Sequence, residues 1–276
     1  MGRIDLHLHS IYSDGEDTIE ELLIKLRNAG VDVFSITDHD NIASHPVLET
    51  CSGITYIPGV EMSCVHDDIK LHLLGYGIEK DGGIYHMCED IKSKKRELIH
   101  GIIDSLIARG YRFDKKDLET LFSMNDKALT KVDIARLLVK YGEARSVNEA
   151  YNTILAPYKI GSKVRAEASV VTSLIKEDNG ICILAHPGDI EKKYGIDILD
   201  ILDDLRKIGI DGIEVFNSKH TPEDVVRFLK IAKERSLLIT GGSDYHGMIN
   251  KPNIRIGEGI KDGEISEKVL KKAIQR

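Results

Sequence analysis

The sequence predicts an α/β protein whose short strands alternate with helices around a barrel. Three observations lead there. Seven short apolar β runs are interleaved with helical patterns, which fits a parallel barrel or an open doubly wound sheet. His9, His39, Glu61, His186 and Asp244 each fall at or just beyond the C-terminal end of a β run, and His72 lies within one. A closed barrel gathers such ends at one mouth while an open sheet spreads them, so the barrel is favoured. Third, β character vanishes from about Gly83 to Pro157, where long helical patterns take over. The expected organisation is a barrel over residues 1–82 and 158–276 with an inserted helical subdomain over 83–157.

The first strand is Ile4-Asp5-Leu6-His7-Leu8-His9, whose period-two alternation puts Asp5, His7 and His9 on one face. Two imidazoles and a carboxylate on a buried face suit a divalent metal. Ser13-Asp14-Gly15 then reads as a turn able to fold Asp14 back to the same spot. Thr18-Ile19-Glu20-Glu21 fits a capping box that opens a helix through Ala29, stopped by Gly30. Val33 to Thr37 is a β run ending in Asp38-His39-Asp40, and Ser44 to Glu49 a helical turn. Ile54 to Pro58 is the third run, followed by Gly59-Val60-Glu61, and Leu71 to Tyr76, containing His72, is the fourth.

Helical patterns cover roughly 84–109, 114–124, 130–141 and 146–155, with Asp114 and Ser146 as caps. Lys92, Lys94, Lys95, Arg96 and Lys131 in this stretch read as solvated helix faces. After a helix near 168–178, Ile181 to Ala185 leads into His186-Pro187-Gly188. Gly212 to Phe216 leads into Asn217-Ser218-Lys219-His220, and Leu237 to Thr240 into Gly242-Ser243-Asp244-Tyr245-His246. A terminal helix is expected from about Glu264.

Composition narrows the class. A chain of 276 residues, 42% hydrophobic and 30% charged, is that of a soluble globular protein. No apolar run approaches the roughly 18 residues of a membrane span. The immediate entry into a strand leaves no room for a signal peptide, so a cytoplasmic protein is expected. Cys51, Cys64, Cys88 and Cys182 lack Cys-x-x-Cys spacing and read as reduced, mostly buried thiols. The net charge of −7, with no Trp and 5% aromatics, argues against stable binding of duplex nucleic acid. It leaves a small anionic substrate open, because bound ions can reverse the local sign.

Nine side chains have the chemistry and placement of metal ligands: His7, His9, Asp14, His39, Glu61, His72, His186, Asp244 and His246. Six imidazoles and three carboxylates suit Mn, Fe or Zn and are too nitrogen-rich for Mg or Ca alone. Nine ligands exceed what one ion takes, so two or three divalent ions with bridging carboxylates are expected. Any one of these histidines alone reads as an ordinary hydrogen-bonded residue; their gathering at strand ends does not. His45, His66, His86 and His100 are assigned to loops or helix surfaces. Asp5, Asp38 and Asp40 either hold a ligand imidazole in its tautomer or make ordinary turn hydrogen bonds.

These motifs, His7-x-His9 with Tyr12-Ser13-Asp14-Gly15, Thr37-Asp38-His39-Asp40, Gly59-Val60-Glu61, Ala185-His186-Pro187 and Gly242-Ser243-Asp244-Tyr245-His246, resemble those of the polymerase-and-histidinol-phosphatase (PHP) family. Within it the chain is most similar to stand-alone phosphoesterases, the nucleoside 3′,5′-bisphosphate phosphatases and related 5′-to-3′ exoribonucleases. The resemblance implies a distorted seven-stranded (β/α) barrel with a trinuclear metal site, and a helical insert that covers substrate. It implies that His7, His9, Glu61 and Asp244 hold one ion, with Glu61 bridging to a second held by His72 and His186. Asp14, His39 and His246 would hold the third, Asp14 and His39 being required for turnover. His220 resembles a position that reaches the substrate phosphate, as acid or contact. Lys131 stands where the branch carries the Arg of Arg-Pro-His, ahead of Ile134-Ala135-Arg136, and Arg165 matches another phosphate-binding position. The Lys loses the bidentate fork of Arg, and Asp133 replaces the His.

Phosphomonoester hydrolysis requires accelerations approaching ~10²¹, against about 10²–10⁴ from one side-chain acid or base. The expected chemistry is therefore metal-dependent, through metal-activated hydroxide, and the resemblance implies release of the 3′-phosphate of nucleoside 3′,5′-bisphosphates. The partner is a small phosphorylated nucleotide or short oligonucleotide, with no membrane. Alternatives are 5′-to-3′ exoribonuclease action on short RNA and a histidinol-phosphate-type phosphatase. An amidohydrolase would commonly place a carboxylated Lys where Glu61 stands. From a different class, a noncatalytic metal-binding regulatory module would bind ions without releasing phosphate.

Overall fold

The structure is a computed structural model and describes residues 3–48, 53–160 and 164–272. β1 (Arg3–Leu8) is buried from Ile4 onward and runs parallel to β2 (Val31–Ile36), which runs parallel to β3 (Thr55–Tyr56). The crossover is α1 (Ile19–Asn28). Its capping box forms as expected: Glu21 N donates to Thr18 Oγ1 at 3.2 Å, and Thr18 N to the Glu21 carboxylate at 2.8 Å. Gly30 follows with φ +69° and ends it. The short helix α2 (His45–Leu48) lies in the connection to β3.

The remaining strands are β4 (Gly59–His66), β5 (Ile69–Tyr76), β6 (Ala166–Glu167), β7 (Ile181–Leu184), β8 (Gly212–Asn217) and β9 (Leu238–Gly242). They form one sheet in the order β6-β4-β5-β7-β8-β9. Here the structure corrects the sequence reading twice. The described residues hold nine strands rather than seven, and the sheet is mixed rather than parallel. β4 and β5 are an antiparallel hairpin, and β7 runs antiparallel to β5. The cause is Asp67-Asp68, whose φ values of +45° and +64° make a two-residue mirror-image turn. Such a turn reverses the chain with no crossover. Glu61 accordingly lies inside β4 rather than beyond a strand end.

The two sheets touch at two isolated parallel bridges, Leu8 with Tyr245 and His39 with Glu61, so no closed barrel forms among the described residues. Both bridges sit at the end where the expected ligands lie. At one, Asp244 N donates to His7 O at 2.9 Å and His9 N to Tyr245 O at 3.0 Å. The approach demands glycine at position 242, where any Cβ would overlap the Cβ and backbone nitrogen of His7. At the other, Asp40 N donates to Glu61 O at 2.9 Å.

Between β5 and β6 come α3 (Gly83–Ala108), α4 (Lys115–Ser123), α5 (Lys131–Lys140) and α6 (Val147–Asn152), with no intervening strand among the described residues. Asp114 and Ser146 cap as expected, accepting from Lys116 N at 2.7 Å and Glu149 N at 3.1 Å. α7 (Ala168–Glu177), α8 (Pro187–Tyr194), α9 (Leu199–Lys207) and α10 (Pro222–Glu234) come next, of which α7, α8 and α10 pack against the second sheet, and α11 (Glu267–Leu270) follows a 3₁₀ turn at Asp262–Glu264. Ile4, Leu6, Val60, Met62, Leu73 and Tyr76 belong to the larger core, and Leu8, Leu22, Phe34 and Ile36 to a second one beneath α1.

The solvated-face reading of the insert cations holds for Lys94, which pairs with Asp90 at the surface, but not for Lys95. Lys95 is buried, with Nζ 2.6 Å from buried Asp40. His45 is likewise buried rather than a surface residue, with Nε2 2.8 Å from Gly59 O. Cys64, Cys88 and Cys182 are free and buried, and burial pushes the Cys182 thiol up to about 12. Cys51 lies outside the described residues. No helix among the described residues is long and apolar enough to cross a membrane.

Candidate metal centre

All nine expected ligands meet where the two sheets touch. Ligand atoms of eight of them form three groups, each within 4.8 Å: His7, His9, Glu61 and Asp244; His39, Glu61 and His72; and His9, Asp14, His39 and His246; His186 belongs to none of the three. Glu61 is the hub. Its Oε2 lies 3.1 Å from each of His7 Nε2, His9 Nε2 and His39 Nδ1. Its Oε1 lies 2.8 Å from His72 Nδ1 and 2.9 Å from His186 Nε2. Asp14 Oδ1 is 3.3 Å from His246 Nε2. The grouping differs from the one the resemblance implies: His39 also faces Glu61, and His9 also faces Asp14 at 3.8 Å.

The donor set fits cations. Buried His7 Nε2, both ring nitrogens of His9, His39 Nδ1 and Glu61 Oε2 have no hydrogen-bond partner. Converging lone pairs without donors are costly inside a protein unless a cation takes them. Burial pushes the His39 imidazole down to about 3, which keeps it neutral, the form a metal takes. Burial alone would raise Glu61, but the imidazoles of His39, His7 and His72 outweigh it and hold its carboxyl well below the usual range. The backbone is strained here too: His186 (φ +28°), Asp244 (φ +55°) and Asp40 (φ +51°) are left-handed.

Residues 5–162 match the family model of the PHP domain. The chain belongs to the PHP domain family. It is 29% identical over 259 residues to the phosphoribosyl 1,2-cyclic phosphate 1,2-diphosphodiesterase of Eggerthella lenta, covering 90% of this chain and 95% of that one. It is 27% identical over 270 residues to the 3′,5′-nucleoside bisphosphate phosphatase of Chromobacterium violaceum, covering 95% and 90%. A crystal structure from Bifidobacterium adolescentis, given as a candidate metal-dependent phosphoesterase, superposes with a TM-score of 0.84 at 25% identity, covering 99% of this chain and 96% of that one. Family, fold and ligand chemistry together make this PHP protein a metal-dependent phosphoesterase.

Around this PHP centre Glu214 is among the residues that escaped the sequence reading. Glu214, fully buried in β8, accepts from His7 Nδ1 at 2.8 Å, His186 N at 2.8 Å and Asn217 Nδ2 at 3.0 Å. With its proton on Nδ1, His7 turns the Nε2 lone pair toward Glu61 and Asp244. The signal was a carboxylate in the middle of the apolar run Ile213 to Phe216. By contrast, the bonds of Asp5, Asp38 and Asp40 go to backbone N–H groups, hydroxyls and Lys95 rather than to imidazoles. Asp38 accepts from Ser10 N (2.8 Å) and the Ser10 and Ser13 hydroxyls (2.7 and 2.6 Å), and Asp40 from Ser63 N at 2.7 Å. Asp5 accepts from Ser243 N at 2.9 Å and Gly257 N at 2.8 Å.

The expected substrate contacts separate. Lys131 and Arg165 line a cavity of about 210 Å³ beside Asp14, His39 and His72. Lys131 Nζ sits 4.1 Å over the Tyr151 ring and donates to Leu155 O at 3.1 Å. Arg165, whose buried Nε has no partner, also lines a second cavity of about 290 Å³, which shares His39 and His72 with the first. Arg136 instead donates to Asp14 O and Gly15 O at 3.1 Å each, bracing the loop that carries Asp14. Asn41 Nδ2 ties the same loop to the insert, donating to Tyr12 O at 2.7 Å and Asp126 O at 2.8 Å. His220 lines neither cavity. Its Nδ1 donates to Val215 O at 2.9 Å, its Nε2 accepts from Gly188 N at 3.2 Å, and its ring packs on Phe228. The preceding residue, Lys219, faces the larger cavity instead.

Proposed function

We propose that this PHP phosphoesterase releases the 3′-phosphate of nucleoside 3′,5′-bisphosphates, with its nine ligands holding two or three divalent ions, Mn, Fe or Zn. The observation that carries the reading is the pair of cavities flanking the centre, which share His39, His72 and Arg165. The smaller has apolar walls from Leu129, Tyr151, Ile160 and Val164, suited to the neutral body of a nucleoside. The larger is rich in lysine. A nucleotide whose reacting phosphate lies at the centre would set its neutral body against the apolar walls and a second anionic group against the lysines.

Divalent ions, when bound, neutralise phosphoryl oxygens and lower the pKa of water so that a nucleophile is available near neutral pH. The residues of the chain do the rest. Glu61 joins the first two ligand groups, and Asp14, His39 and His246 complete the third. Glu214 fixes the His7 tautomer, and Arg136 holds the Asp14 loop. Arg165, whose buried Nε has no partner among the described residues, offers the phosphoryl group a guanidinium. The helices over 83–157 act as a substrate cover on the body formed by 1–82 and 158–276.

The test is phosphate release by metal-stripped protein resupplied with Mn, Fe or Zn. The panel comprises adenosine 3′,5′-bisphosphate, a 5′-phosphorylated trinucleotide, a cyclic phosphodiester and histidinol phosphate. The proposal requires metal-dependent release from the bisphosphate above the other three. Preference for any other member contradicts the substrate, and no release from all four contradicts the phosphoesterase reading.

A further inference from the structure

We propose that Lys219 and Lys251 form an anion site on the outer oxygen of Asp244, which takes the second, non-reacting phosphate of a doubly phosphorylated substrate. The inference rests on the phosphoesterase reading above and adds which residues select that substrate class.

Asp244 has two unlike sides. Its Oδ1 faces the imidazoles of His7, His9 and His246 at 3.6, 3.4 and 3.4 Å. Its Oδ2 lies 2.9 Å from Lys219 Nζ and 2.9 Å from Lys251 Nζ. One carboxylate oxygen thus holds two ammonium groups side by side. Lys219 also reaches Asp189 Oδ2 at 2.8 Å, and Lys251 reaches Asp244 O at 3.3 Å. An ammonium has three N–H donors. Each lysine therefore spends two and keeps one, and both line the larger cavity.

The charge of that cavity points the same way. Its described lining holds five cations, Lys70, Arg165, Lys193, Lys219 and Lys251, against three carboxylates, Glu61, Asp189 and Asp244. That is a local positive excess in a chain of net charge −7. Two of the three carboxylates also belong to the ligand groups, so ions bound there take up their charge and leave the lysines to a ligand. One phosphate engaged at the ligand groups does not need this wall. A second phosphate does. The smaller cavity is less suited to it: its described lining holds three cations, Lys95, Lys131 and Arg165, against the carboxylates Asp14 and Asp40, and buried Lys95 is paired with Asp40.

The test reads binding as well as turnover. Adenosine 5′-monophosphate carries only the phosphate that the proposed reaction leaves in place, so calorimetry against adenosine isolates its contribution. Mn-loaded wild type is expected to bind the monophosphate at least tenfold more tightly than adenosine. Lys219→Gln and Lys251→Gln are each expected to cut that advantage to threefold or less, while Lys251→Arg retains it. The ratio of kcat/KM for adenosine 3′,5′-bisphosphate over adenosine 3′-monophosphate is expected to fall at least fivefold in both Gln variants. Metal content and melting temperature of each variant separate lost anion binding from a lost ion or fold. No advantage in wild type, or an advantage above threefold in either Gln variant, overturns the site. If wild type shows the advantage and the Gln variants lose it, but no protein releases phosphate, the site stands and the phosphoesterase reading fails.

Discussion

Replacing Glu214 with Gln is nearly isosteric, yet it should disable a ligand that Glu214 only touches from behind. The carboxylate accepts three hydrogen bonds, two at Oε2 from His186 N and Asn217 Nδ2 and one at Oε1 from His7 Nδ1. An amide has one acceptor oxygen. Turned toward His186 N and Asn217, it presents NH₂ to His7 Nδ1, which must then accept. The ring proton moves to Nε2, the atom 3.1 Å from Glu61 and 3.6 Å from Asp244. The opposite orientation leaves two buried donors unpaired at about 1–3 kcal/mol each. Either way the first ligand group suffers. Losing such a supporting partner typically costs about 10–100-fold in metal affinity, or about 1.4–2.7 kcal/mol. Calorimetric Mn titration of metal-stripped Glu214→Gln should show that loss, with elemental analysis reporting less bound metal. Affinity within threefold of wild type would refute the argument.

Three other outcomes follow from named contacts. Gly242→Ala drives a methyl group into the Cβ and backbone of His7, so it should lower stability by at least the ~1–3 kcal/mol typical of overpacking and reduce bound metal; chemical denaturation and elemental analysis check both. Lys95→Met leaves Asp40 buried and uncompensated, which should cost about 3–5 kcal/mol in urea denaturation, partly recovered by adding Asp40→Asn. Burial holds His45 at about 4 against an ordinary 6.5, so the unfolded chain binds its proton first. Its stabilising contribution is then complete above pH 6.5 and shrinks as pH falls toward 4. The total is about 3 kcal/mol at 1.36 kcal/mol per pKa unit. Stability measured from pH 7 to 4 should fall more steeply in wild type than in His45→Gln by about that amount, and parallel curves would contradict it.

The candidate ligands that the fold gathers were legible because their chemistry is local: His-x-His on an alternating strand, and His or Asp at the ends of apolar runs, speak without tertiary context. Helix starts were legible for the same reason, since Thr18, Asp114 and Ser146 carry their caps within three residues. Strand direction was not. The mixed sheet hangs on two residues, Asp67-Asp68, adopting left-handed backbone, and that preference was hidden between two motifs read for their ligands. Long-range pairing was equally silent. Nothing near Lys95 announces that Asp40 neutralises it, and nothing near Arg136 announces the carbonyls of Asp14 and Gly15. At 219–220 the imidazole drew the assignment. The fold ties that ring to backbone and turns its lysine neighbour toward the cavity.

The central claim is that segments from both ends of the chain meet to hold cations over which a phosphoryl group can sit. Anomalous diffraction from crystals grown with Mn and inorganic phosphate tests it most directly. The account predicts Mn peaks between His7, His9, Glu61 and Asp244 and within at least one of the other two groups, with phosphate against them and Arg165 in reach. Full Mn occupancy elsewhere on the molecule, with these groups bare, would contradict it.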